Sequence, residues 1–464
     1  MDRAIRRRLL VPLLCAFQIG IASAQQEPAP RLQPQPQPPT QAAAAATPAD
    51  APVSAAAERV YAQVRPSLLQ IRTLVAAAGR QSSIGSGFLV GADGLAVTNY
   101  HVVSQYALEP KTYRLEFKRP DGGEGALELL AIDIANDLAV VRVDGKDLPH
   151  LAFDPRAVDG ELPRGERAYA MGNPLDLGFT IVEGTWNGLV ERSYNERVHF
   201  TGAINPGMSG GPAVDTTGRV VGVNVAKRLD GELVSFLVPA RKAAALVEHA
   251  RSGPPIGIDA VREEIDRQLL EWQAGFYGAL VAKGWRSTTF GPYLAPESEA
   301  PWFNCWAQTN AEKTPKPRAQ IDGSTCSTSS ALFVAEDIQS GSAQFSHAYV
   351  RSSELNAFQF ATFVSQLPIY RSAGTTGAWQ RKRLTRPECE ERFVAASPTA
   401  PALHAIWCAR AYRDFADLYD VALTLVTQDR DHEALVSRLV VQGIAYDNAL
   451  ALGRRFLEGV AWTK

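Results

Sequence analysis

No two of the five cysteines stand at the Cys-x-x-Cys spacing of a zinc site, and His347 and His404 are isolated. A metal centre is therefore not expected. An excess of one charge sign is also missing: 47 basic residues face 49 acidic ones, for a net charge of −2. That balance gives no reason to expect nucleic acid or an anionic membrane surface as a partner. Long hydrophobic runs are absent too. The one apolar stretch near the start, Leu9 to Ile21, is too short for an ordinary spanning helix. At 464 residues the chain is long enough for two or three domains, each with its own core.

What is present begins with a secretory leader, residues 1–24. Arg3, Arg6, Arg7 and Arg8 form a basic head, Leu9 to Ile21 an apolar core, and Ala22-Ser-Ala24 a cleavage site. Export to the periplasm or beyond is expected, with no stable membrane insertion once the leader is removed. Retention of the leader as an anchor is the alternative. Residues 25–55 are rich in Pro, Gln and Ala and cannot bury a core, so they read as a disordered tether.

The chemistry centres on Thr201 to Val214, which contains Asn205-Pro-Gly-Met-Ser-Gly-Gly-Pro212. Gly207 permits a sharp turn. That turn can aim the amides of Gly207 and Ser209 at one point, as an oxyanion hole requires. Gly210 and Gly211 leave room beside the Ser209 hydroxyl. A serine nucleophile needs a base, and the base needs a carboxylate to fix its tautomer. His101 ends the strand-like run Leu95-Ala-Val-Thr-Asn-Tyr-His101, after the turn Gly91-Ala-Asp-Gly94. Asp137 directly precedes Leu138-Ala-Val-Val-Arg-Val143, which favours it over Asp133, Asp144 and Asp147 as the carboxylate. His199 sits in an alternating run and reads as a strand residue. The Gly-x-Ser-x-Gly elbow of α/β-hydrolases also fits Gly207 to Gly211, but that elbow needs a following helix and the chain order Ser, Asp, His. Here Pro212 and a strand follow, and the order is His, Asp, Ser.

The stretches Gly85-Ser-Gly-Phe88, Thr98-Asn-Tyr-His-Val-Val103, Asp137-Leu-Ala-Val-Val141, Met171-Gly-Asn-Pro174 and Asn205 to Pro212 resemble, in that order, the trypsin-like serine peptidases of the HtrA/Deg type. The likeness covers roughly Ala56 to Ala250, under half the chain, and residues 56–252 are expected to form the peptidase domain. It implies a mainly β, chymotrypsin-like double barrel with the triad in the cleft between barrels, and no cofactor. It further implies that Ser235, Phe236 and Leu237 pair with the substrate backbone. It puts Ala203 near the floor of the specificity pocket. Ala203 brings no charge, so cleavage after small or medium apolar residues is expected; a buried Lys or Arg there would be unpaired, at a cost of several kcal/mol. Met208 stands where digestive relatives carry an aspartate that pairs with a freshly cut N-terminus, so activation by that route is not expected.

From Gly253-Pro-Pro255 onward the resemblance fails. No Gly-Leu-Gly-like carboxylate loop of a PDZ module is found, which leaves peptide-sensing regulation and oligomeric state open. Residues 256–464 read as an α+β domain of unknown function. Asp259 can cap a helix whose apolar face is Val261, Ile265, Leu269, Trp272, Phe276 and Leu280, expected to be core. Two strand–strand–helix sets follow, each preceded by two cysteines, suggesting a degenerate repeat. Pairing Cys305 with Cys326 and Cys389 with Cys408 is favoured among three connectivities, each bridge worth roughly 3 kcal/mol. The tract Arg371 to Arg386 reads as an exposed basic loop. The expected function is an exported serine endopeptidase acting on protein or peptide substrates. The alternative is a non-catalytic binding or chaperone-like protein on a peptidase scaffold.

Overall fold

The computed structural model describes residues 53–227, 234–328, 331–367, 369, 382–395 and 400–463. The expected leader and nearly all of the tether lie outside these residues.

Helix α1 (Val53–Val64) leads through a 3-10 turn containing Pro66 into the first barrel. That barrel comprises β1 (Leu68–Val75), β2 (Arg80–Leu89), β3 (Leu95–Thr98), β4 (Tyr113–Lys118), β5 (Glu124–Asp133) and β6 (Leu138–Val143). It closes in the order β1-β2-β3-β6-β5-β4. Helix α2 (Tyr100–Leu108) sits between β3 and β4. Strands β3 and β6 are buried almost throughout, which is why they read as continuous apolar runs.

The second barrel comprises β7 (Glu166–Gly172), β8 (Thr180–Leu189), β9 (Val198–Thr201), β10 (Pro212–Val214), β11 (Val220–Lys227) and β12 (Val234–Pro239). Its order is β10-β11-β12-β9-β8-β7. A short helix, α3 (Pro155–Asp159), precedes it, and α4 (Ala240–Ser252) follows. His199 lies in β9 and is half-buried. Among the described residues, the chain from 53 to 252 is thus a chymotrypsin-like double barrel.

Helix α5 (Val261–Ala282) carries the apolar face expected of it, although Asp259 does not cap it; the N-cap is Ala260. Its first half, Val261, Ile265 and Leu269, packs into the first-barrel core beside Leu115 and Val141. Its second half, Phe276 and Leu280, packs under the C-terminal sheet. One helix therefore belongs to both cores.

The C-terminal half adds the strands β13 (Trp285–Phe290), β14 (Tyr293–Ser298), β15 (Phe303–Thr309), β16 (Gln320–Thr328), β17 (Leu332–Ala335), β18 (Ile338–Ser340) and β19 (Ala343–Arg351). Then come α6 (Ala357–Ser365), β20 (Glu388–Val394), β21 (Leu403–Ala411), β22 (Tyr419–Thr427), β23 (Glu433–Ile444), α7 (Tyr446–Glu458) and β24 (Ala461–Trp462). Seven strands form one sheet in the order β15-β16-β19-β23-β22-β21-β20. Cys305 and Cys326 face each other across β15 and β16 and are bonded; Cys389 and Cys408 do the same across β20 and β21. The two disulfides thus clasp the outermost strand pair at each edge of the sheet. The repeat does not hold strand for strand. Leu332–Ala335 leaves the sheet and forms a separate hairpin with β18.

Candidate active site

His101 was expected at the end of a strand. Strand β3 instead stops at Thr98, Asn99 turns the chain in extended geometry, and His101 sits in the first turn of α2. The Asn99 side chain does not cap that helix; its amide donates to the carbonyl of Asp137 at 2.7 Å. Asp137 stands at the mouth of β6 with a left-handed φ of 58°. Its carboxylate meets His101 twice. Oδ1 accepts from the His101 backbone amide at 2.9 Å, and Oδ2 lies 2.7 Å from Nδ1. This fixes the tautomer with the proton on Nδ1 and leaves Nε2 for a partner. Of the competing aspartates, Asp133 is engaged by Asn136, while Asp144 and Asp147 are exposed.

Burial of the imidazole pushes its pKa down, but the charge and hydrogen bond of Asp137 more than offset this. The net result is a His101 pKa above its ordinary 6.5.

Ser209 comes from the second barrel, and its loop is threaded against the first. The Ser209 carbonyl accepts from the amide of Ser86 in β2 at 2.8 Å. Gly210, with φ 83°, has its α-carbon against the carbonyl of Ser86, the hydroxyl of Thr98 and the amide of Asn99, where no side chain fits. The serine thus sits beside the strand end that leads into His101. Its hydroxyl donates to the carbonyl of Val225 at 3.4 Å, and among the described residues no hydrogen bond joins it to His101.

Among the described residues, the loop around Ser209 leaves two donors unspent. Met208, Gly210 and Gly211 use their amides on Asn205, Asn224 and Met208 carbonyls, respectively. Among the described residues, nothing accepts from the amides of Gly207 and Ser209. Gly207 adopts φ 93°, and a Cβ there would run into the carbonyl of Asn173. Its own carbonyl is held by the hydroxyl of Ser86 at 2.7 Å, which in turn accepts from Asn173 N at 2.9 Å. Asn224 secures the loop from below: its side-chain amide donates to Met208 O at 3.3 Å and to Met171 O of β7 at 2.9 Å. The sequence reading missed both roles. The signals were a serine inside Gly85-Ser-Gly87 and a lone amide in the apolar run Val220 to Val225.

Ser235, Phe236 and Leu237 do not offer an edge to an added strand. All three lie in β12, paired with β9 on one side and β11 on the other. The Ser235 hydroxyl is spent internally, donating to Gly202 O at 2.6 Å and accepting from Ile204 N at 3.2 Å. The open edge lies elsewhere. Pairing of β11 with β10 ends at Val223, so at Val225–Lys227 only β12 flanks the strand among the described residues. Ala203 is exposed, between the two residues that Ser235 holds.

The family description "Trypsin-like peptidase domain" matches residues 85–223. This segment is similar to the trypsin-like serine peptidases of the HtrA/Deg type. The putative serine protease HhoB of Synechocystis is 35% identical over 178 residues, covering 37% of this chain and 41% of its own length. A probable periplasmic serine endoprotease, DegP-like, from Chlamydia muridarum is 34% identical over 215 residues, covering 44% and 41%. The crystal structure of the serine endoprotease from Yersinia pestis overlaps 43% of the chain and 68% of that structure at 23% identity, with a TM-score of 0.37. The chain spans about two-fifths of the length of these curated relatives. The alignment to HhoB covers only part of the chain, as does the peptidase-domain match, which ends at residue 223.

Proposed function

We propose that the protein is an exported serine endopeptidase whose peptidase unit is residues 56–252, with residues 256–464 an α+β unit built onto it. Ser209 attacks the scissile carbonyl while His101 takes its proton. The amides of Gly207 and Ser209 hold the oxyanion, and Asp137 orients His101 and stabilises the imidazolium. His101 then protonates the leaving amine, and water releases the acyl group. The observation that carries this reading is the double grip of Asp137 on His101, at 2.9 and 2.7 Å, beside a serine loop with two unspent amides.

The substrate lies along the open edge of Val225–Lys227, as an added antiparallel strand. Ala203 contributes no charge to the primary pocket, so cleavage follows small or medium apolar residues such as Ala, Val or Leu. The leader and the relatives named as periplasmic support action in the periplasm or outside the cell.

Labelling with a fluorophosphonate is the test. The intact chain should react and Ser209→Ala should not, with casein cleavage lost in parallel. One observation favours a second reading, a peptide-binding protein without catalysis: the Ser209 hydroxyl turns to Val225 O. An intact chain that binds unfolded protein but resists the label would establish that reading instead.

A further inference from the structure

The turn of α2 that carries His101 is not capped by its own N-cap residue, because the Asn99 amide is committed to Asp137 O; the Asp137 carboxylate accepts from the His101 amide in its place. Support comes from the C-terminal half, through the hairpin of β17 and β18. The hydroxyl of the fully buried Tyr100 donates to Val334 O at 3.0 Å. Gln105, one turn on, donates to Glu336 at 2.8 Å. Between these two ties, the Phe333 ring meets the His101 ring edge-on, with centroids 5.7 Å apart at 64°.

We propose that Phe333 is a positioning residue for His101, so that the C-terminal half supplies part of the catalytic apparatus. The imidazole has one nitrogen on Asp137 and needs the other free for the nucleophile. A neighbour that hydrogen-bonded would compete for that nitrogen. A phenyl ring restricts rotation and excludes water without competing. The contact leaves the site open: the His101 side chain keeps 27% of its exposure, and Phe333 is itself only half-buried. Phe333 is therefore a wall of the cleft and not a plug.

The charged groups around His101 are accounted for by element. Asp137 faces it directly. Arg197, half-buried, interacts by charge with Asp137 and Asp133. From the hairpin, Glu336 is turned to Gln105 and Asp337 to Arg383, which also binds Glu109 and Asp414. The Tyr100 hydroxyl faces Val334 O. Removing Phe333 changes no charge in this set; it admits water to the ring. Because burial lowers the imidazole pKa, hydration raises it.

The kinetic part of this inference rests on the peptidase reading; the structural part does not. The test uses the full chain with Phe333→Ala and Phe333→Leu. The His101 titration is followed by NMR, and the acid limb of kcat/KM is measured alongside. In Phe333→Ala the His101 midpoint and the acid limb should move to higher pH. The kcat should fall on the order of tenfold to a hundredfold, as for a misplaced base, with KM little changed. Phe333→Leu, which keeps most of the apolar bulk, should recover much of both. A variant that merely melts earlier, with His101 titrating as in the parent, overturns the proposal. A His101 shift in a chain that no fluorophosphonate labels upholds the positioning contact and defeats the peptidase reading alone.

Discussion

The hydroxyl of Ser86, in the first barrel, donates to the carbonyl of Gly207, in the second, at 2.7 Å, and accepts from Asn173 N at 2.9 Å. One buried hydroxyl thus holds the Gly207–Met208 peptide, which lies between the two amides of the proposed oxyanion hole. In Ser86→Ala, the Gly207 carbonyl and the Asn173 amide both lose a partner inside the protein. The expected cost is about 1–3 kcal/mol of stability. The kcat should fall on the order of a hundredfold, as for loss of an oxyanion donor, because the Gly207–Met208 peptide then keeps only the bond from the Met208 amide to Asn205 O. Chemical denaturation together with peptide hydrolysis checks both figures. A variant of parental kcat would show that the loop orients itself.

The pH dependence follows from Asp137 and His101. The carboxylate holds the imidazole pKa above its ordinary 6.5 against the opposing effect of burial. The protonated ring cannot act as a base, so activity should be lost as pH falls through a midpoint above about 6.5. Asp137→Asn removes the charge but not the burial. The midpoint should then move to lower pH, and kcat should drop by roughly 10⁴ because the tautomer is no longer fixed. A pH–rate profile of both forms decides this, and an Asn variant with an unmoved acid limb would contradict it.

The double barrel and the pairing of His101 with Asp137 were legible because their signals are local. Gly207-Met-Ser-Gly-Gly211, the run ending at His101 and the aspartate before Leu138 each combine a turn with a chemical group. What escaped depends on register and distant packing. The apolar run Leu95 to Val103 conceals a switch from strand to helix at Asn99. That Ser235–Leu237 is paired on both edges, and Val225–Lys227 on one, is settled by where β9 and β10 end. Arg383 was expected in an exposed basic tract, of which residues 371–381 lie outside the described residues. Its side chain keeps only 11% exposure, among Glu109, Asp337 and Asp414. Three carboxylates from separate parts of the chain cannot be assembled from a window of sequence.

Specificity can be tested at Ala203. Residues 202 and 204 are held by the Ser235 hydroxyl, so the backbone at 203 is fixed while its methyl group is exposed. A carboxylate introduced as Ala203→Asp would offer a basic side chain the partner it lacks in the parent. The parent should cleave a peptide library after small or medium apolar residues, and the variant should gain cleavage after Arg or Lys. No change in the ranking would remove Ala203 from the pocket.

The peptidase unit alone, residues 56–252, should be weaker than the full chain. Tyr100 would lose Val334 O, and the first-barrel core would lose Val261, Ile265, Leu269, Leu332 and Val334, all buried in it. Each large apolar side chain of that kind contributes about 1.5–3 kcal/mol. The fragment should melt earlier and label more slowly with fluorophosphonate. A fragment that labels faster than the full chain would mean that the C-terminal half restrains the site.

His347 sets an acid limit on the C-terminal sheet. The side chain is 2% exposed, in β19, with its ring stacked near Phe456. Its Nε2 lies 3.0 Å from the carbonyl of Pro296, which can only accept, so the proton of the neutral ring is on Nε2. Nδ1 then accepts from the Ser437 hydroxyl at 2.9 Å. Burial pushes the pKa down to about 4 from the model-peptide value of 6.5. Below pH 6.5 the unfolded chain takes up this proton while the folded one does not, so unfolding gains as pH falls. The loss grows down to pH 4 and reaches about 3 kcal/mol, for a difference of about 2.5 pKa units. His347→Gln can retain an amide donor to Pro296 and does not titrate. It should flatten the dependence of stability on pH between 6.5 and 4 while costing stability at neutral pH through imperfect packing against Phe456. Urea titrations of both forms across that range measure the slope, and equal slopes would place the acid lability in another group.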